Sequence, residues 1–160
     1  PKQWEDRMRL NIFNDQIDIE TGYISDVFED ALRSAVIVSL LTDRRANSDD
    51  TIPDAPLTNQ SIPPDRRGWA GDALADVIGD RVGSRLWLLS RKKQTEETRR
   101  LAIEYCQEAL QWLMDDKIAS SALVKAEWTD GGRLNVGVTI ILLNGDSFNT
   151  TLTIGVVYAV

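Results

Sequence analysis

Apolar positions along this chain repeat first at helical spacing and then at every second residue, and that switch sets the expected architecture. Val27, Phe28, Ala31, Leu32, Ala35, Val36 and Leu40 share one broad face, which predicts a helix from Asp26 to Leu41 with Ser25 or Asp26 as its cap. Val36-Ile37-Val38 alone would suit a strand, but the helical period runs through the whole segment. Ala102, Tyr105, Cys106, Ala109, Leu110 and Leu113 form a second core stripe. They predict a helix that starts at the N-cap Thr95, carries Glu96 and Glu97 at its positive end, and stops near Asp115-Asp116-Lys117. Beyond that point the period becomes two. Ala122, Val124, Ala126 and Trp128 share one strand face; Leu134, Val136, Val138, Ile140 and Leu142 share the next. Phe148, Leu152, Ile154, Val156, Tyr158 and Val160 share a third, while Lys125, Glu127, Arg133, Asn135, Thr139, Asn149, Thr151 and Thr153 take the opposite faces. Asp130-Gly131-Gly132 and Asn144-Gly145-Asp146 are the hairpin turns between them. The fold class is therefore α+β: helices packed on a C-terminal antiparallel meander.

Three stretches are less regular. Residues 8 to 24 read as short extended pieces, with Met8, Leu10 and Ile12 alternating against Arg9, Asn11 and Phe13 and a turn at Thr21-Gly22. From Asp43 to Pro64 the periodicity vanishes under four prolines and the polar run Asn47-Ser48-Asp49-Asp50, which predicts a long irregular loop. Val82 to Arg91 reads as a short helix carrying Leu86, Trp87, Leu88 and Leu89. The meander has two edges, and each offers unpaired backbone groups to a strand from another chain. Nothing within the last strand blunts its edge: from Phe148 to Val160 there is no proline, lysine or arginine.

Composition narrows the possibilities. A chain of 160 residues fits a single domain, 1–160, with a core of its own. A net charge of -7 argues against nucleic acid as a partner. The basic run Arg91-Lys92-Lys93 with Arg99-Arg100 lies on helical sequence beside Glu96 and Glu97, and reads as a solvated face. There is no histidine, which removes the usual general base and most zinc sites; no cofactor is implied. The single cysteine, Cys106, sits in the apolar stripe and reads as core, in a reducing compartment. No apolar run approaches a membrane span of about 20 residues. Pro1 suggests a removed initiator methionine, and the residues after it are no signal peptide.

Two groups carry candidate chemistry. Asp72, Asp76 and Asp80 recur every four residues, a spacing that salt bridges to nearby arginines explain and that a small carboxylate-dependent hydrolase or a metal site could also use, although no metal-loop motif is present. Asp65-Arg66-Arg67-Gly68-Trp69 is more specific. Arginine forks, a glycine that allows close backbone approach and a large aromatic are typical interface anchors. They could equally form an internal network that pins the long loop to its own domain, and a soluble adaptor gripping one partner through Trp69 fits the same residues.

"AVIVSLLTDRRANSDD", "DRRGWAGD", "GDRVGSRLWLLSRKK" and "EYCQEALQWLMDDK" come in the order that resembles the Mu-like phage baseplate proteins, over roughly residues 15 to 145. That family is grouped with the T-even wedge protein that starts the tail sheath, in a lysozyme-like wedge superfamily. Ala70 stands where the resemblance leads one to expect a second tryptophan, and Met114-Asp115-Asp116-Lys117 stands where the wider family has Glu-Pro-Arg. The resemblance implies a structural virion protein and not an enzyme. It implies a contractile-tail baseplate assembled in the host cytoplasm, with six copies ringing the tail tube or spike hub. It further implies other wedge proteins and the tail sheath protein as partners, no membrane, and a meander like the inner, handshake domain of a sheath subunit. Under it, Phe148, Leu152, Ile154, Val156 and Tyr158 would accept sheath strands, while Arg66, Arg67, Trp69, Asp115, Asp116 and Lys117 would meet wedge partners.

Overall fold

The computed structural model describes residues 6–13, 16–23, 27–53, 64–75, 81–130 and 132–154 of the chain. The extended N-terminal pieces are one hairpin. Strand β1 (Asp6–Phe13) pairs antiparallel with β2 (Gln16–Tyr23) as a separate two-stranded sheet. Its reversal falls between Phe13 and Gln16 and not at Thr21-Gly22, since Gly22 sits inside β2 opposite Arg7. A glycine within a strand costs only about 0.5–1 kcal/mol, and continuous cross-strand pairing outweighs that local preference.

Helix α1 (Val27–Leu41) follows, as its apolar period predicts. Its buried stripe is narrower than expected: Leu32, Val36 and Leu40, one every fourth residue, are buried, whereas Ala31 is exposed. The proposed caps Ser25 and Asp26 lie outside the described residues. The irregular loop is present over the described part, 43–53, where Ala46 and Ile52 still reach the core. The helix expected over 82–91 is only a 3-10 turn, Leu86–Leu89, whose four side chains are all buried. An element that is apolar on every side shows no periodicity from which to read its length.

Helix α2 (Glu96–Ala109) begins as predicted. The Thr95 hydroxyl accepts the Thr98 backbone N–H at 3.1 Å, and Glu96 and Glu97 occupy the first turn. It does not run unbroken to Asp115. The chain tightens at Leu110-Gln111 and resumes as a four-residue turn of helix, α3 (Trp112–Asp115). Leu110 and Leu113 stay fully buried across the break, so the apolar stripe continues although the helix does not.

The meander is antiparallel in the order β3 (Ala119–Trp128), β4 (Leu134–Leu142), β5 (Ser147–Ile154). Its core face holds Ala126, Leu134, Val136, Val138, Ile140 and Phe148, all buried, with Ala122, Val124, Trp128 and Leu142 partly buried beside them. The two helical stripes pack with this face into one cluster with Trp87 and the leucines around it. Cys106 is fully buried in that cluster, and burial pushes its thiol pKa up to about 12, so it is packing and not a nucleophile. Arg99 pairs with Glu96 and Arg100 with Glu97 on an exposed face.

Candidate partner interface

The arginine-tryptophan segment is spent largely on its own chain. Arg66 donates to the carbonyls of Asn47 and Ser48, the second at 3.2 Å. Its own carbonyl accepts the Ala46 N–H at 2.9 Å. Arg67 takes a left-handed backbone (φ 52°), held by its N–H donating to Asp65 Oδ1 at 2.8 Å. From there its guanidinium pairs with Asp43 at 2.7 Å and lies 4.4 Å from the centre of the Trp87 ring. The Trp87 indole donates to the Arg44 carbonyl at 2.8 Å. Residues 42–44 run parallel to 84: Ser84 N–H donates to Thr42 O at 2.8 Å and Arg44 N–H to Ser84 O at 2.9 Å. Gly83, at φ +104°, lets the strands come this close; a Cβ there would collide with the Thr42 carbonyl. The Ser84 hydroxyl donates to Leu40 O at 2.6 Å and so satisfies an orphan carbonyl at the end of α1.

A half-buried ion cluster anchors the same loop to α2, and sequence reasoning did not find it. Arg85 donates through Nη1 to Asp50 at 2.9 Å and through Nε to Glu108 at 2.8 Å, and its guanidinium stacks 4.5 Å from the Tyr105 ring. Burial pulls the Arg85 pKa down, but its hydrogen bonds to Glu108 and Asp50 outweigh that and leave it above the usual value. Asp50 also accepts the Asn47 N–H at 2.7 Å, and Arg44 approaches Glu108 at 3.8 Å. Trp69, two residues beyond Arg67, is outside this network. It is 55% exposed, with its ring folded over Gly71, and Leu74 on the following turn is 85% exposed. Of the three anchors named from sequence, the tryptophan alone presents itself to solvent. Asp72 accepts the Val82 N–H at 3.1 Å, so its carboxylate is engaged by its own chain; Asp76 and Asp80 lie outside the described residues. No group of three or more histidine, cysteine, aspartate or glutamate residues could hold a metal among the described residues.

Asp115, Asp116 and Lys117 are all exposed, at the end of α3. Lys117 has φ 56°, the Ile118 N–H donates to Leu113 O at 2.9 Å, and the Lys117 N–H donates to Met114 O at 3.1 Å. This is a Schellman ending with lysine in the place glycine usually takes. The Asp115 carboxylate accepts the Gln111 amide at 3.0 Å. Trp112 donates its indole N–H to Ser39 at 3.1 Å and ties the junction to α1.

The sheet borders follow from register. Leu142 N–H donates to Asp146 O at 2.8 Å, which makes that pair a hydrogen-bonded one. By alternation, Phe148, Thr150, Leu152 and Ile154 exchange ladder bonds with Ile140, Val138, Val136 and Leu134, and Asn149, Thr151 and Thr153 turn their N–H and C=O outward. Phe148 is buried, Leu152 and Ile154 are in ladder-bonded register, and Val156 and Tyr158 lie outside the described residues. The same rule, from Thr129 N–H to Arg133 O at 2.8 Å, turns Val124, Ala126 and Trp128 outward on β3. Each border meets one arginine from a helix. Arg99 of α2 donates to Ala126 O at 3.2 Å, and Arg33 of α1 donates to Asn149 O at 3.1 Å with its guanidinium 5.6 Å from the Phe148 ring. The strand β5 carries no blunting residue of its own, but α1 supplies one.

Residues 32–147, from α1 to the first residue of β5, match the family described as phage protein GP46. The chain belongs to the phage protein GP46 family. Two curated GP46 relatives span most of its length. One, named baseplate protein gp46 of Escherichia phage Mu, is 40% identical over 82% of this chain and 84% of its own. The other, named Mu-like prophage FluMu protein gp46 of Haemophilus influenzae, is 33% identical over 90% of this chain and 93% of its own. The GP46 span takes in the loop latch, the ion cluster and both helices that bear the border arginines.

Proposed function

We propose that this chain is a structural component of a phage tail baseplate, one domain over 1–160, and that its β5 border starts the tail sheath by accepting a strand. The names of its relatives support the baseplate role. The observation that carries the finer reading is the outward backbone at Thr151 and Thr153, on an edge strand with no charged residue from Ser147 to Ile154. Backbone hydrogen bonds would give the affinity, alternating side chains the register, and a ring of six copies around the tube or spike hub would multiply both. Trp69 with Leu74, and the Asp115–Lys117 junction, are the surfaces left for other wedge proteins. On this reading the meander serves as a counterpart to the inner domain of a sheath subunit, the T-even wedge protein is a functional analogue, and the particle assembles in the host cytoplasm. The chain is then a structural part and not an enzyme, as the baseplate naming of its relatives supports.

Thr151→Pro tests it. The substitution removes one outward N–H and spares the ladder to β4. In a phage dependent on the variant, baseplates form and carry tubes without sheath. Normally sheathed tails from that variant sink the sheath-initiation reading and leave the baseplate role standing.

A further inference from the structure

We infer that Arg33 guards the β5 border against pairing with a second copy of this chain, and so keeps it for a foreign strand. The inference rests on the reading of β5 as an acceptor border. Two copies of β5 meeting antiparallel and symmetrically about Thr151 would align Asn149 with Thr153, Thr151 with Thr151, and Thr153 with Asn149. Arg33 occupies the Asn149 carbonyl in each copy, and its guanidinium stands across that end of the strand over Phe148. It therefore obstructs two of the three outward pairs between Asn149 and Thr153 in such a self-pair, the first and the last. A strand from another protein meets only one Arg33, at one end, and can begin at Thr151. The same side chain thus weakens the symmetric encounter twice and the asymmetric one once. Strand β5 cannot do this itself: from Ser147 to Ile154 it has no charge to repel a copy.

The test is sedimentation velocity on the purified full chain. Arg33→Met removes the donors but keeps an apolar stem over Phe148; Arg33→Lys keeps a donor. Arg33→Met sediments as a larger species than the unaltered chain at equal concentration, Arg33→Lys does not, and adding Thr151→Pro to Arg33→Met returns it to the original mass. A thermal melt run alongside confirms folding. For a poorly folding Arg33→Met, Arg33→Leu, which also lacks a donor, gives the same reading. Folded Arg33→Met and Arg33→Leu of unchanged mass overturn the inference, as does self-association that Thr151→Pro leaves intact. Failure of the acceptor reading is separately visible: Thr151→Pro alone would then give sheathed tails whatever the sedimentation shows.

Discussion

The arginine-tryptophan loop and the β5 border are opposite kinds of surface. The loop is rich in residues that make interfaces, yet Arg66, Arg67 and Arg85 each bond to carbonyls, carboxylates or rings of the same chain. The border is a plain run of serine, asparagine, threonine and apolar residues, yet its backbone at Thr151 and Thr153 faces outward. The difference teaches that residue type describes capacity, while availability depends on what the rest of the chain has already claimed. The Arg85 guanidinium has its Nη1 committed to Asp50, its Nε to Glu108 and its face to Tyr105. A threonine whose neighbours on either side close the ladder has its whole peptide group to give.

The contrast can be broken from the loop side first. Arg85→Ala removes the partner of Asp50 and Glu108, and should cost about 2–3 kcal/mol in urea unfolding while opening the 43–53 loop to protease. A loss under about 1 kcal/mol would mean the latch is not what holds the loop. On the border, Thr150→Pro and Thr151→Pro should differ sharply. The first deletes a ladder bond to Val138 and costs about 2–3 kcal/mol; the second deletes an outward N–H and costs under about 1 kcal/mol. Equal melting temperatures for the two would overturn the register assigned to β5. Gly83→Ala brings a Cβ onto the Thr42 carbonyl at a left-handed φ, and should lower stability by about 1–3 kcal/mol. Smallest of all is Trp69→Ala. It should shift unfolding by less than about 1 kcal/mol, because the ring is more exposed than buried, while weakening baseplate incorporation in a pull-down of assembled wedges. A large stability loss there would move Trp69 to the latch side of the comparison.

What could be read from the sequence was what repeats. Leu32, Val36 and Leu40 in α1, the Ala102–Leu113 stripe and the alternating faces of β3 and β4 follow from local periods, and those residues fill the core. The ion cluster had no such period: Arg85 meets Asp50 across 35 residues and Glu108 across 23. Arg33 and Asn149 are 116 apart, so a charged residue in a helix gave no sign that it would sit on a strand edge. The Schellman ending at Lys117 was hidden because lysine stands where glycine would have announced it. Residue type alone fits Arg66-Arg67-Gly68-Trp69 equally to an interface anchor and to an internal network, and in the fold the residues divide: the arginines hold the loop, and the tryptophan faces out.

The depth of Cys106 has a practical consequence. With its sulfur sealed in the core and its ionisation pushed far above neutral pH, the native chain offers maleimide and similar reagents nothing to react with. A cysteine placed at Thr151 or Trp69 would therefore be the single labelling handle on the folded molecule. A fluorophore or cross-linker attached there could follow the protein into a growing tail without any need to mutate the native thiol away.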